Sequence, residues 1–327
     1  MYFEKFHACG NDFIIVDNRF GEIKNLPETA IQLCDRHTGV GADTLLVIEN
    51  SEIAEYKMGI YNADGSTAEM CGNGIRCFAK YLFDEDMVDG KVVFDIETKK
   101  GIIGVELVGD DNSLGDLVTV NMGEVKFNCR DIPMVGEDTF IARELEVDGR
   151  KFTVTSVNTG IPQTVVVVDD LDGLDIAHYG RLIENHPLYP EHTNVNFVQV
   201  ISEEAIRSRA WERGCGATLA CGTGACAAAA ACYTMGLTER EVEVQVERGS
   251  LFINYNEDGT ALLTGPAVKI CDGEAELECE RSPEDEMQAI IDNLNEYLDK
   301  ACDGDRRHSA DLKELFVDMF KAGRKKK

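Results

Sequence analysis

The 327-residue sequence lacks the features that mark several common classes of protein. It has no apolar run near the ~20 residues that a membrane-spanning helix requires, and its first residues lack the charged-then-apolar pattern of a signal peptide. It holds only 32 basic residues against 60 acidic ones, and the formal net charge of -28 would repel a nucleic-acid backbone. The one basic cluster, at residues 324–327, is too short to reverse that balance. We therefore expect a cytoplasmic protein that binds neither membranes nor nucleic acids.

The twelve cysteines also lack the spacing of a structural metal site. No Cys-x-x-Cys pair occurs, and the six histidines are scattered along the chain, so we predict no metal ion. A chain without a signal peptide is expected to keep its cysteines as reduced thiols. Most of them then serve as small core residues, and one or two are retained for their reactivity.

One four-residue motif occurs twice in the sequence, 150 positions apart. Cys-Gly-Asn-Gly at 71–74 precedes a helical pattern over residues 74–83. Cys-Gly-Thr-Gly at 221–224 precedes a second one over residues 224–235, which consist almost entirely of alanine and cysteine. A period of this length is too long for a solenoid. The repeat therefore indicates two similar domains, each with a cysteine at the N-terminus of a helix.

A cysteine at a helix N-terminus combines an ionisable thiol with a binding site for an anion. The helix N-terminus lowers the thiol pKa from its usual value of about 8.5, and the unpaired backbone N–H groups there bind carboxylates. If the two domains face each other, Cys71 and Cys221 address opposite faces of one carbon atom. One thiolate then removes the α-proton and the other thiol returns a proton, which inverts the carbon. The backbone groups expected to hold the α-carboxylate belong to Gly72, Asn73, Gly222 and Thr223.

A dinucleotide-binding fingerprint is the main alternative for the second motif. Residues 222–227 fit it with alanine at the third glycine position, but that fingerprint directly follows a buried strand. The preceding residues 216–220 make a poor strand. Duplication of the motif favours a pair of catalytic cysteines over a single structural one.

These motifs and several others resemble the diaminopimelate epimerase family, which comprises cofactor-independent enzymes of lysine and peptidoglycan-precursor synthesis. Phe-His-Ala-Cys-Gly-Asn-Asp-Phe at 6–13 resembles the N-terminal signature of that family. Residues 62–77 resemble its first cysteine motif, and residues 212–225 resemble its second. The resemblance extends from Met1 to about Leu277. Further matching segments lie at 39–43, 120–123 and 264–267.

The resemblance implies an α+β fold of two pseudo-symmetric domains, each a mixed β-sheet curled around a central helix. The active site is expected between the domains. We predict a first domain over residues 1–122 with a returning strand at about 267–280, and a second domain over residues 123–266. Residues 281–327 fall outside the resemblance, and their two apolar stripes predict a helical hairpin appended to the body.

The resemblance also implies roles for individual residues. Cys71 and Cys221 occupy the positions of the two acid/base cysteines, and Glu212 occupies that of a carboxylate that assists the second one. The positions that bind substrate in the family correspond to Asn11, Asn62, Asn194 and Arg213. Because the Arg213 guanidinium suits a distal carboxylate, the expected partner is a small amino acid with two carboxylates. We expect a homodimer that needs no cofactor.

Three positions depart from the family pattern. Gly-Ile-Pro-Gln at 160–163 stands where the family usually has Gly-x-Pro-His, often with Asn as x. Gln163 is expected to face Cys71, but it cannot hold a proton as an imidazole would. Ile161 removes an amide that contacts substrate in some members, and Thr44 stands at a polar position that varies.

These departures keep two alternatives open. One is a related racemase, independent of pyridoxal phosphate, for another amino acid such as histidine. The other is a catalytically impaired relative that serves as a binding or scaffold protein through its C-terminal hairpin. The intact cysteines and Glu212 favour an enzyme over a scaffold.

Overall fold

The computed structural model describes residues 1–109 and 113–277. The helical hairpin predicted over residues 281–327 lies outside the described residues, as does the basic cluster at its end. Among the helices of the described part, none is both long enough and apolar enough to cross a membrane.

Met1–Leu277 forms one compact unit, built from two halves whose elements follow a similar order. The first half contains β1 (Tyr2–Ala8), β2 (Asn11–Asp17), α1 (Leu26–Cys34), β3 (Thr44–Glu49), β4 (Tyr56–Asn62), α2 (Gly72–Asp84), β5 (Val93–Thr98), β6 (Gly101–Val108) and β7 (Leu117–Glu124). The second half contains β8 (Arg143–Val147), β9 (Arg150–Asn158), β10 (Pro162–Val167), α3 (Ile176–Glu184), β11 (Asn194–Ser202), β12 (Ala205–Glu212), β13 (Gly216–Thr218), α4 (Gly222–Thr234), β14 (Glu241–Val246), β15 (Gly249–Tyr255) and β16 (Thr260–Pro266). The chain then returns to the first half as β17 (Val268–Glu274).

Strand pairing repeats between the halves. In the first half β2 pairs parallel with β3, β3 antiparallel with β4, β4 parallel with β5 and β5 antiparallel with β6. The second half repeats these orientations: β10 pairs parallel with β11, β11 antiparallel with β12, β12 parallel with β14 and β14 antiparallel with β15. The antiparallel pair of β17 and β1 in the first half corresponds to the antiparallel pair of β8 and β9 in the second. The halves are joined by a further antiparallel pair, β7 and β16. The predicted α+β fold with two pseudo-symmetric halves is confirmed.

The predicted domain boundaries fall on the joining strands. The boundary at 122/123 lies inside β7, and the boundary at 266/267 lies at the end of β16. Because these two strands pair with each other, backbone hydrogen bonds link the halves at that point. The residue boundaries stay predictions.

Each half is curled around one central helix that begins next to a motif cysteine. α2 packs against β1, β2, β6 and β7, and α4 packs against strands of the second half. α4 is buried along most of its length. Alanine has the highest helix propensity, and its small side chain lets strands approach from all sides. The helices predicted over residues 74–83 and 224–235 are confirmed.

Candidate active site

Cys71 and Cys221 cap the N-termini of α2 and α4. Both have an extended backbone conformation, and each thiol sulfur accepts a hydrogen bond from the backbone N–H three residues on. The distances are 3.3 Å from Gly74 N to Cys71 Sγ and 3.4 Å from Gly224 N to Cys221 Sγ. This position is usually taken by Ser, Thr, Asp or Asn. A cysteine there places its sulfur where the helix dipole favours the thiolate.

The glycines of the two motifs are closely packed, and at Gly224 a larger residue would clash. A Cβ atom on Gly224 would lie 2.2 Å from Asn196 Oδ1, and one on Gly72 would lie 3.0 Å from Met122 Cε. The same Cβ atom on Gly72 would lie 3.9 Å from the Cα atom of Gly222. The two helix N-termini therefore meet at their glycines.

A cavity of about 380 Å³ opens where the two helix N-termini meet. It is lined by Asn11, Glu69, Met70, Cys71, Gly72, Asn73, Lys100, Thr159, Gly160, Ile161, Glu212, Ala220, Cys221, Gly222 and Thr223. Its volume lies in the range of small-molecule binding sites. A single ligand-sized cavity thus contacts both cysteines, Glu212, Asn11 and the backbone of both helix ends.

Asn73 connects the two halves at the cavity. Its Nδ2 donates to Asn11 Oδ1 and to the backbone oxygen of Ala220, each at 3.2 Å. Asn11 Nδ2 donates in turn to Asp43 Oδ2 at 2.7 Å, which fixes the direction of the Asn11 amide. Because Ala220 directly precedes Cys221, this network holds the second helix end against the first half.

Glu212, the last residue of β12, provides a carboxylate next to the second cysteine. The hydroxyl of Thr218 donates to Glu212 Oε1 at 2.6 Å and orients the carboxylate. Burial, and after it the charge of Glu212, raises the pKa of the Cys221 thiol well above its usual range. The Thr223 hydroxyl and the Gly224 N–H act in the opposite direction. Cys221 therefore keeps its proton beside a carboxylate that can accept it.

Cys71 has a different electrostatic environment. Burial raises the pKa of its thiol, but two backbone N–H groups of the helix end and the charge of Arg76 lower it. The charge of Glu212 raises this pKa as well, as the smallest of the five contributions. Cys71 thus has a cation in its surroundings, whereas the main charged neighbour of Cys221 is a carboxylate. The nearest charges therefore differ in sign between the two thiols.

Five predicted site residues do not line the cavity: Asn62, Thr44, Gln163, Asn194 and Arg213. Asn62 Nδ2 donates to Ser66 Oγ at 2.9 Å. Asn194 Oδ1 accepts from the backbone N of Arg213 at 2.8 Å, and Arg213 Nη1 donates to the backbone oxygen of Glu191 at 2.7 Å. The Arg213 guanidinium is thus engaged with a backbone carbonyl. A role of these residues in substrate binding stays a prediction.

Gln163 lies on the side of Cys221, which corrects the expectation that it faces Cys71. Its side chain is completely buried, Nε2 donates to Thr223 Oγ1 at 3.0 Å, and Oε1 accepts from Asn196 Nδ2 at 2.8 Å. Thr223 Oγ1 lies 3.3 Å from Cys221 Sγ. The physical reason is strand pairing: β10 runs parallel to β11 in the second half, whose central helix is α4.

The cavity wall includes residues that sequence reasoning missed, above all Lys100. Lys100 lies in the turn between β5 and β6, where its backbone N donates to the oxygen of Glu69 at 3.3 Å. Its ammonium group makes no ion pair within the described residues. A Cβ atom on Gly160 would lie 2.9 Å from Lys100 Nζ, so this cation reaches the second half. A lysine in a charged turn is typical of a solvated surface, and the sequence holds no signal that would assign it to the site.

The ionisable side chains on the cavity wall comprise two thiols, two carboxylates and one ammonium group. Within residues 1–109 and 113–277, no group of three or more His, Cys, Asp and Glu side chains has the arrangement of a metal site. The cysteines of the same ranges are free thiols. The wall is therefore suited to proton transfer at a carbon that lies between the two sulfur atoms.

Solved structures share this architecture. A phenazine biosynthesis protein of the PhzF family from Bacillus anthracis superposes with a TM-score of 0.62 over 85% of this chain and 99% of that chain, at 16% identity. A hydroxyproline epimerase from Agrobacterium vitis gives a TM-score of 0.60 over 86% of this chain and 93% of that chain, at 15% identity. At these identities the likeness shows the fold, and it places the chain in the structural class of proteins built from two pseudo-symmetric α+β halves.

Sequence comparison narrows this class to one family. The family described as diaminopimelate epimerase matches residues 3–128 and 155–270. The diaminopimelate epimerase of Pelotomaculum thermopropionicum is 44% identical over 277 residues, which cover 84% of this chain and 98% of the relative. That of Leptospira biflexa is 39% identical over 277 residues, 84% of this chain and 99% of the relative. The chain belongs to the diaminopimelate epimerase family.

Proposed function

We propose that this enzyme interconverts LL-diaminopimelate and meso-diaminopimelate by proton transfer between the substrate and two cysteines. The observation that carries the proposal is the pair of cysteine-capped helices whose N-termini meet on one cavity, in a member of this family. Inversion at a carbon requires a base on one face and an acid on the other. The pseudo-symmetry of the fold supplies two thiols in equivalent positions.

One turnover moves a proton from the substrate to Cys71 and a proton from Cys221 to the product, and exchange with solvent then restores the Cys71 thiolate and the Cys221 thiol. The Cys71 thiolate takes the α-proton, and the electron pair of the C–H bond moves onto the α-carboxylate, which leaves a planar α-carbon. The Cys221 thiol then gives its proton to the opposite face of that carbon and becomes the thiolate. For the reverse direction Cys221 has to act as the base, and Glu212 assists by accepting a hydrogen bond from its thiol.

The two helix ends bind and stabilise the negative charge. The N–H groups of Gly74 and Gly224 donate to the cysteine sulfurs, and the remaining N–H groups of the first turns of α2 and α4 are the expected donors to the α-carboxylate. Both helix dipoles favour an anion there. The charge on this carboxylate grows in the transition state, so preorganised donors lower the barrier. This route uses only the thiols, the carboxylate and the backbone of the chain.

The proposed substrate carries a second carboxylate at its distal end. Lys100 is a cation on the cavity wall without an ion-pair partner among the described residues. The resemblance to the family adds Asn62, Asn194 and Arg213 as predicted partners of the distal group.

A cytoplasmic location is part of the proposal, supported by the free thiols, two of which are exposed. A homodimer also stays a prediction, which light scattering on the full chain would test.

Solvent-deuterium incorporation tests the function. The purified chain is incubated in D2O with LL-diaminopimelate, and in parallel with histidine and with lysine. We expect diaminopimelate alone to acquire deuterium at the α-carbon and to change configuration there. In a single turnover the deuterium should appear in the product isomer, because the donor thiol exchanges with solvent while the base takes the substrate proton.

Cysteine variants test whether the deuterium exchange depends on Cys71 and Cys221. Cys71→Ala and Cys221→Ala should each abolish epimerisation, and the matched control Cys215→Ala should not, because Cys215 is exposed and does not line the cavity. Full epimerisation by either of the first two variants would show that the two-base assignment is wrong. Exchange into histidine instead of diaminopimelate would favour the related-racemase alternative.

A further inference from the structure

Arg76 is the largest side chain that is completely buried in the described part of the protein. Its guanidinium donates to the backbone oxygen of Gly72 at 2.9 Å, to Asn73 Oδ1 at 3.1 Å and to the backbone oxygen of Pro266 at 3.4 Å. All three acceptors are neutral. Within residues 1–109 and 113–277 Arg76 has no carboxylate partner.

A buried cation that is bound only by neutral acceptors is costly, because its transfer from water is not offset by an opposite charge. Burial accordingly lowers the pKa of the Arg76 guanidinium from its ordinary value. A guanidinium still keeps its proton in such surroundings. A thiolate that forms nearby would supply the opposite charge that the buried guanidinium lacks.

The ionisable groups that act most strongly on Arg76 are cysteines from three parts of the fold: Cys9 from the turn after β1, Cys71 and Cys77 at the start of α2, and Cys226 from α4. Burial raises the pKa values of Cys9, Cys77 and Cys226, which keeps these thiols neutral. Of the four, only Cys71 lines the cavity. The charged side chains that line the cavity with Cys71 are Glu69, Lys100 and Glu212.

We propose that Arg76 is a positioning residue whose buried charge makes Cys71 the thiolate of the catalytic pair. Its guanidinium folds back onto the first turn of α2, the turn that Cys71 caps. By donating to Asn73 Oδ1 it also leaves Asn73 Nδ2 free to donate to the backbone of Ala220, directly before Cys221. One buried side chain thus supplies the counter-charge and sets the amide that joins the two helix ends.

The inference deepens the proposed function, since the anion it concerns is the base of that reaction. Its test requires no substrate. The rate at which iodoacetamide alkylates Cys71 is measured against pH, and the peptide that holds Cys71 is resolved by mass spectrometry from those of the other cysteines. This rate follows the fraction of thiolate. A failure of the epimerase assay and a failure of the Arg76 inference can therefore be told apart.

Arg76→Met removes the charge, and Arg76→Lys keeps it. In Arg76→Met the alkylation profile of Cys71 should move to higher pH, with a rate about tenfold lower at a fixed pH below the midpoint. Arg76→Lys should restore most of the wild-type profile, even where its poorer fit to three acceptors lowers kcat. The matched control is Arg143→Met, which removes an exposed arginine on β8 and should leave the profile unchanged.

Two results would overturn the inference. The first is a folded Arg76→Met protein whose Cys71 profile equals that of the wild type. The second requires no change at Arg76 and therefore holds even if that variant does not fold. In Cys221→Ala and Cys71→Ala proteins the remaining site thiol is titrated by the same reaction, and Cys71 should ionise at lower pH than Cys221. An equal or reversed order would contradict a charge that favours Cys71.

Discussion

Gln163→Leu measures how strongly the hydrogen bonds behind Cys221 stabilise the protein. Leucine fills a similar volume but offers no polar atom. Asn196 Nδ2 then loses an acceptor at 2.8 Å, and Thr223 Oγ1 loses a donor at 3.0 Å. Asn196 is only 1% exposed, so water has little access to replace the lost partner. Thr223 Oγ1 keeps its contact with Cys221 Sγ at 3.3 Å.

The expected loss of stability follows from these contacts. A buried donor left without an acceptor costs about 1–3 kcal/mol, and Thr223, which keeps one partner, adds about 1 kcal/mol. Greater apolar burial by leucine recovers about 1 kcal/mol. The net expectation is a free energy of unfolding lower by about 1–3 kcal/mol, which for a protein of this size shifts Tm by about 2–4 °C per kcal/mol.

Urea unfolding of the full chain is the assay, with Gln199→Leu as the matched control. Gln199 lies on β11, where its Nε2 donates to the backbone oxygen of Asp169 at 2.8 Å, but it is only partly buried. Water can replace that bond, so the control should lose at most about 0.5 kcal/mol. Equal losses in the two variants would refute the burial-based reasoning.

The position of Gln163 also predicts which thiol responds to it. Because its side chain supports Thr223, Gln163→His should change the alkylation profile of Cys221 and leave that of Cys71 as in the wild type. Peptide-resolved alkylation against pH measures both thiols in one experiment. A shift at Cys71 alone would favour the placement implied by the family resemblance over the placement in the structure.

Three further predictions concern charge and packing around the cavity. In Glu212→Gln the loss of a negative charge should lower the pKa of Cys221, so its alkylation profile should move to lower pH; no movement would contradict the role of Glu212. Lys100→Met should raise KM for diaminopimelate about tenfold through loss of a charge-assisted contact. The control Lys99→Met, on the same turn, should leave KM unchanged. If the two variants have equal KM values, Lys100 does not contact the substrate. Gly224→Ala should lower Tm, because its new Cβ atom would lie 2.2 Å from an amide oxygen, and a wild-type melting curve would show that this packing is not tight.

The local features of this protein could be predicted from its sequence. A capping residue and the glycines after it act within one helical turn, so the starts of α2 and α4 follow from residues 71–74 and 221–224 alone. The repeat of the motif was sufficient to predict two similar halves. The chemistry of two thiols at helix ends also follows, because it depends on residue type and on the helix terminus rather than on distant neighbours.

Tertiary structure decided which side chains share the cavity. Lys100 reaches the wall through the turn between β5 and β6, and Gln163 lies beside Cys221 because β10 pairs with β11. The sequence of the α2 segment does not indicate that Arg76 is buried. In the structure its side chain is completely buried and donates to the backbone oxygen of Pro266 at the end of β16. These contacts join residues that lie far apart in the chain. Their energies depend on the partners that strand pairing brings together, and no local pattern of residues specifies those partners.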